Sequence, residues 1–391
     1  MLNPLVQAQR VLPVSLGVRP EQQNQSDLYG PVVHVVGYIT DEVFSFLGPA
    51  TQALARAGRE QTVVMVDDVR RRHHLNSLER VAALRLVASS CNPVTQWQGV
   101  LLVCKELVAV DPPRAMHFHG LLPCLVGAWA VRKTTRAVDF FYSPHGSRSI
   151  GTLKYFGAFV MLLLGSFMGA SRRRAIVNSA NESNLFEDWN SSELLESPVS
   201  EAFQSVQPHE VQRPLIISSG RLPNAQNIEL FARLAVLLGG TELGISFKWI
   251  GPVDEIFRAR LQAAGVGVYE PKNDADHASQ LADGWIYIAP RANRGFPICL
   301  VQAMAAGLPC VAVDCPEHRG VMRDGYTGYL CATESEMIDR VAMLVDDPSL
   351  RQLHGRAAKA EAKLRFDESE FGERLLAAYS MPARVVFSNA T

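Results

Sequence analysis

Short apolar runs, many of them β-branched, recur along the chain and alternate with longer stretches of helical period. Val32–Val36 (VVHVV) and Gln61–Val66 (QTVVMV) are continuous runs of strand length, the form of parallel strands buried on both faces. Between them, Gly37–Gly48 reads as a long loop with an acidic centre at Asp41 and Glu42, and Pro49–Ala57 as a helix stopped by Gly58. The result is a βαβ unit with its loop at the carboxyl edge of the first strand, where doubly wound sheets take ligands. Leu78–Ala88 and Val100–Ala109 follow a helical period. Ala115–His119 (AMHFH) is a strand closed by Gly120, with a helix after it reaching Trp129. Ala137–Tyr142 is another strand, and Ser143-Pro144-His145-Gly146 is a turn at its end.

The alternation resumes further on. Ala175–Asn178 is a strand and Glu182–Trp189 a helix. Asn190–Arg213 is polar and contains proline, and this change of composition marks a domain boundary. Pro214–Ser218 opens a second α/β series, with strands at Ser246–Ile250, Val266–Tyr269 and Trp285–Ala289 and helices at Asn227–Leu238, Glu255–Ala264 and Ala278–Ala282. The last strand leads into Arg291–Leu330. There Asn293–Pro297 is a loop and Ile298–Ala306 an apolar helix with Gly307 placed as its C-cap. Leu308–Val313 is a buried strand, and Ser335–Phe371 is mostly helical. A loop that delivers backbone N–H groups at the start of the Ile298 helix suits phosphate or sugar oxygens.

A chain of 391 residues accommodates two domains of ordinary size, and a content of 48% hydrophobic and 20% charged residues is that of a folded globular protein. The expected division is an arm at 1–30, a first Rossmann-like domain at 31–205, a second at 214–365, and a helix at 366–380 that returns to the first domain. A formal net charge of −1 provides no general attraction for nucleic acid, so that partner class is set aside. Seven cysteines without a CxxC pair read as buried reduced thiols, not as a metal or disulfide framework. Asp67-Asp68 beside Arg70-Arg71-Arg72 reads as a charge-balanced loop more than as a cation site. The first residues lack a secretory leader pattern, and the expected location is cytoplasmic. Tyr155–Ser171 carries no charge and runs into Arg172-Arg173-Arg174. The 150–174 segment is therefore a core helix with a basic end, an interfacial helix on the inner face of a membrane, or a span; it is short of the roughly 20 residues that a span requires.

Several motifs together resemble the retaining GT-B glycosyltransferases of family 4, over roughly residues 31–380. In the first half these are Gly48 before a helix, the strand end His117-Phe118-His119-Gly120 and the turn Tyr142-Ser143-Pro144-His145-Gly146-Ser147. In the second half they are Gly220-Arg221-Leu222, Ile250-Gly251-Pro252, Ala282-Asp283-Gly284-Trp285 and Gly325-Tyr326-Thr327-Gly328-Tyr329. Arg291–Leu330 follows the frame of the donor signature E-G-F-(G/P)-x4-E-A-M-A-x-G-x-P-V-V. The resemblance implies an α/β GT-B fold, two Rossmann-like domains facing across a cleft. It also implies retaining transfer of a sugar from a nucleotide-diphospho-sugar, with no cofactor and no bound metal. On this resemblance His145 lies by the transferred sugar and is the catalytic candidate, with His119 a second, acceptor-side candidate and His117 buried structure. Gly48, Arg221, Gln226, Gly251, Arg294, Gly295, Phe296, Pro297, Ile298 and Gln302 line the donor.

Three positions depart from the family pattern. Gln226 stands where a lysine binds the diphosphate, and Arg294 and Gln302 stand where two glutamates bind the sugar and the ribose. Gln302 keeps an acceptor oxygen, whereas Arg294 has none. Arg294 then either supplies the cation missing at Gln226 or pairs with an acidic donor sugar. The implied activity is transfer to a lipid-linked or polysaccharide acceptor in cell-surface glycan biosynthesis, with peripheral membrane contact through 150–174. The other reading is a non-catalytic scaffold or partner subunit that has lost the donor-site carboxylates. An epimerase on the same fold would need acid/base carboxylates that these positions lack.

Overall fold

The computed structural model describes residues 31–67, 72–89, 92–110, 113–131, 138–145, 173–179, 192–209, 211–220, 225–240, 244–290 and 295–380. The chain forms two compact units, one of residues 1–196 and 369–391, the other of residues 197–368. Each is a parallel sheet flanked by helices.

The first unit is built on β1 (Val32–Val36), β2 (Gln61–Val66), β3 (Ala83–Val87), β4 (Ala115–His119), β5 (Asp139–Ser143), β6 (Arg173–Val177) and β7 (Ser192–Leu194). They run parallel in the order β3-β2-β1-β4-β5-β6-β7, which puts the point of reversal between β1 and β4. Ligands of doubly wound sheets bind beyond the strand ends at such a point. Side chains alternate along each strand. Val33 and Val35 face a core with Val64, Val100, Met116 and Phe118. Val32, His34 and Val36 take the opposite face. There Phe46, Ala50 and Leu54 of helix Asp41–Arg56 meet Phe371, Leu375 and Tyr379 of helix Glu368–Ser380.

Two readings of the sequence change here. The loop expected over Gly37–Gly48 is short, because Thr40 caps a helix beginning at Asp41: its Oγ1 accepts from the Val43 N–H at 3.1 Å. Val43, Phe46, Leu47, Ala50 and Leu54 then form a buried stripe at helical spacing, and Pro49 is accommodated inside the helix. The expected helix at Leu78–Ala88 is instead the end of helix Arg72–Leu78 followed by edge strand β3, paired with β2. A short apolar run does not by itself separate the two periods.

The second unit contains β8 (Leu215–Ser219), β9 (Ser246–Ile250), β10 (Val266–Tyr269), β11 (Ile286–Ala289), β12 (Cys310–Val313) and β13 (Gly328–Cys331), all parallel, in the order β10-β9-β8-β11-β12-β13. Residues 197–205, placed by composition in the first domain, pack in this unit: Val199 and Phe203 join Leu215, Leu300 and Phe366 in one core. Helix Ile298–Ala305 ends as its sequence indicates. Gly307 takes φ 87°, its N–H reaches the Met304 carbonyl, and the Leu308 N–H reaches the Ala303 carbonyl. Among the described residues no helix is long and apolar enough to cross a membrane.

Candidate functional site

Alternation and register bring four imidazoles together in the first unit. His34 is opposite His117 across the β1–β4 pair, and His119 is opposite Ser143 across β4–β5. His145 follows two residues after β5. Its φ of 48° makes it the one non-glycine residue in the left-handed region among the described residues. The turn swings its ring beside His119, stacked at 5.1 Å between centroids and 14° between planes. His34 Nδ1 lies 3.1 Å from His119 Nε2, and His119 Nδ1 lies 2.9 Å from His145 Nε2. Phe46 sets its ring edge against His117 and His145.

His117 stands outside this chain, and its proton can be placed. Ser143 Oγ donates to the Ile176 carbonyl at 2.6 Å, so it accepts from His117 Nε2–H at 2.8 Å. His117 Nδ1 is then an acceptor, and the Tyr379 hydroxyl donates to it at 2.7 Å. His117 is thus buried structure tying helix Glu368–Ser380 to the sheet. His34, the centre of VVHVV, and Tyr379 were not singled out in the sequence. A polar residue in the middle of a buried run, on the same face as two other histidines, was the available signal for His34.

Burial keeps all four rings neutral. His34 and His145 are each lowered to about 3 by loss of water. His117 and His119 lie well below the ordinary range, first through burial and then through the neighbouring imidazoles. Nitrogens of His34, His117 and His119 lie within 4.8 Å of one another, a spacing at which imidazoles can share a metal ion. Hydrogen bonds already use both nitrogens of His117 and both of His119, so a metal would have to displace Tyr379 or Ser143 and break the imidazole chain.

In the second unit, Gly251 and Gly220 close the ends of β9 and β8 in conformations open to glycine, φ 138° and 128°. A Cβ on Gly251 would lie 2.5 Å from the Gly220 carbonyl oxygen, so the two turns can lie this close only with glycine at 251. Gly295 is buried, and Phe296 is buried against Phe366 at 5.6 Å, an anchor for the loop. Pro297 precedes helix Ile298–Ala305, whose first intrahelical bond runs from the Val301 N–H to the Pro297 carbonyl. The Ile298 amide, expected to face a ligand, instead donates to the Phe296 carbonyl at 2.9 Å. Gln302 is half-buried on a helix whose Leu300, Val301, Ala303 and Met304 are buried.

Gly48 is buried inside helix Asp41–Arg56 against the Phe44 ring, not in a ligand-facing loop. Arg221 and Arg294 lie outside the described residues, and so does the Gln226 side chain. Of the 150–174 segment only Arg173 and Arg174 are described, and both belong to strand β6. Arg174, at the basic end of that segment, pairs with Glu193 at 3.4 Å and donates to the Ala378 carbonyl at 3.1 Å. Asp274 and Asp276, one residue apart, open helix Asp274–Ala282. Asp276 accepts from the Tyr269 hydroxyl and the Lys272 N–H, each at 2.9 Å, which makes it a structural carboxylate.

Residues 213–347 match the family model described as Glycosyl transferases group 1. A phosphatidyl-myo-inositol mannosyltransferase of Mycobacterium leprae is 35% identical over 114 residues, 28% of this chain and 30% of that protein, so the chain spans about a third of this relative. The structure is similar to a glycosyltransferase from Rickettsia africae, with TM-score 0.72 and 14% identity over 90% of this chain and 98% of that one. It is also similar to Anabaena HepE in complex with UDP and glucose, with TM-score 0.71 and 12% identity over 90% of this chain and 100% of that one. Residues 213–347 thus match the group 1 glycosyl transferases, on a chain whose two parallel-sheet Rossmann-like units are those of the GT-B glycosyltransferase fold.

Proposed function

We propose that the protein transfers a sugar from a nucleotide-diphospho-sugar to a lipid-linked or glycan acceptor, with retention of configuration and without a metal ion. The observation that carries this reading is the family match over residues 213–347, which contains every second-unit position assigned to the donor. The named relatives and neighbours support the substrate class: one is a phosphatidyl-myo-inositol mannosyltransferase, and one holds UDP and glucose. In this reading Arg221 pairs with the diphosphate through a guanidinium that stays charged. Arg294 supplies a second cation in place of the lysine missing at Gln226, and the dipole of helix Ile298–Ala305, not the Ile298 N–H itself, favours the charge that develops on the leaving group. Gln302 bonds the ribose, and His145 orients the transferred sugar. The peripheral membrane contact through 150–174 belongs to the same proposal.

Arg294 and Gln302, standing where the resemblance implies two glutamates, favour one other reading, a non-catalytic partner that retains the fold. A thermal-shift panel of UDP, GDP, ADP and their sugars in chelating buffer, followed by assay for transfer, separates the two. A ligand at about 100 times its Kd adds roughly 2.7 kcal/mol of stability. A shift with transfer supports the enzyme, and a shift without transfer supports the partner. No shift with any member of the panel removes the donor site from both readings.

A further inference from the structure

We propose that His34 and His119 are positioning residues that hold His145 as the tautomer with its proton on Nδ1, so that the free edge of His145 donates a hydrogen bond to a ligand oxygen. The assignment of that oxygen to the donor rests on the reading of His145 above; the tautomer itself does not.

The argument begins with what a neutral imidazole can do. One nitrogen donates and the other accepts. His119 bonds through both nitrogens, to His34 and to His145. Its two bonds must therefore run in the same sense, and only two arrangements of protons are self-consistent. In one, His34 Nδ1–H donates to His119 Nε2, and His119 Nδ1–H donates to His145 Nε2, leaving the His145 proton on Nδ1. In the other, every bond reverses and the spare proton sits on His34 Nε2. The two terminal atoms, His34 Nε2 and His145 Nδ1, are both buried without a hydrogen-bond partner in the protein.

The two ends are not equivalent. His34 is completely buried in the middle of a strand, whereas His145 keeps 7% exposure at the end of a turn. An orphaned buried N–H is rarer and costlier than an under-used acceptor, so the N–H belongs at the less enclosed end, the turn at the carboxyl edge of the sheet. The first arrangement is therefore selected. The left-handed backbone of His145 points the same way. It departs from the usual conformation of a non-glycine residue to place the ring on the end of this chain. His117 does not compete, because Ser143 and Tyr379 occupy its nitrogens.

The test uses the full-length protein labelled with 15N-histidine, with ring nitrogens read by NMR near neutral pH. The expected result is one tautomer for His145, with Nδ1 protonated and Nε2 bare. His119→Phe removes the donor to Nε2 and is expected to cost roughly five- to tenfold of the Nδ1–H preference. His119→Asn, whose amide can donate from nearly the same place, is expected to restore it. A wild-type His145 protonated on Nε2 overturns the proposal without any variant, so a His119→Phe protein that fails to fold leaves the test intact. An unchanged tautomer in folded His119→Phe also overturns it. UDP and UDP-glucose then identify the oxygen. A response of the Nδ1–H resonance to UDP-glucose alone points to a sugar hydroxyl, and an equal response to both points to phosphate. A correct tautomer that responds to neither overturns the assignment to the donor and counts against the donor reading, while the positioning role of His34 and His119 stands.

Discussion

Acid should unfold the first unit through its histidines before its carboxylates are fully protonated. In the folded protein His34 and His145 are lowered to about 3, and His117 and His119 lie well below their ordinary range. In the unfolded chain each returns to about 6.5. The folded values are the lower ones, so between roughly pH 3 and pH 6.5 the unfolded state binds more protons and stability rises with pH. The contribution is intact above about pH 6.5 and is lost progressively as the pH falls below it. At about pH 5 each imidazole kept neutral by the fold costs roughly 2 kcal/mol, or about 4 kcal/mol for His34 and His145 together, a large part of the stability of an ordinary domain, and His117 and His119 act in the same direction. The measurement is urea denaturation across this pH range for wild type and His34→Leu. The difference reports His34 itself, together with the smaller shift that His34 imposes on His117 and His119. The variant should lose about one proton from the slope, or about 1.4 kcal/mol per pH unit. Parallel slopes would refute the reasoning, because they would mean that His34 is protonated in the folded protein.

Three further substitutions test particular contacts. Gly251→Ala combines a positive φ with a Cβ set against the Gly220 carbonyl, and thermal unfolding should show a loss of roughly 2 kcal/mol or more. Tyr379→Phe removes the hydroxyl that donates to His117 Nδ1 and should cost about 1–3 kcal/mol in denaturant titration, with nucleotide-sugar binding unchanged. Gly48→Ala should leave both stability and nucleotide binding close to wild type, within about 1 kcal/mol by denaturation, because the residue lies in a helix against a Phe44 ring that can yield slightly; loss of binding would instead favour a phosphate-facing Gly48.

The second unit was largely legible in the sequence because its strands are short and mostly apolar, with a glycine close to one end of several of them, even though Lys248 interrupts β9. Gly307, Gly251 and Phe296 sit where their residue types imply. The first unit was harder to read. Thr40 is a single capping residue whose effect outweighed the nearby Gly48-Pro49 pair, and the apparent loop became helix. The period of Leu78–Ala88 was ambiguous until β2 supplied a partner for Ala83–Val87. The imidazole chain depends on pairing strands far apart in sequence, His34 with His117 and His119 with Ser143, which no local pattern encodes. The amide of Ile298 illustrates a different limit. Its position at a helix start suggested a free donor, but a tight turn onto Phe296 consumes it.

The central claim is sugar transfer from a nucleotide donor. Its most direct measurement is incorporation of labelled sugar from UDP-, GDP- and ADP-linked donors into lipid-extractable and glycan fractions in chelating buffer, for wild type and Arg221→Ala. Incorporation from one donor class by the wild type, falling at least about tenfold when the phosphate-binding guanidinium is removed, is the predicted result. No incorporation from any donor, or undiminished incorporation in Arg221→Ala, would contradict it.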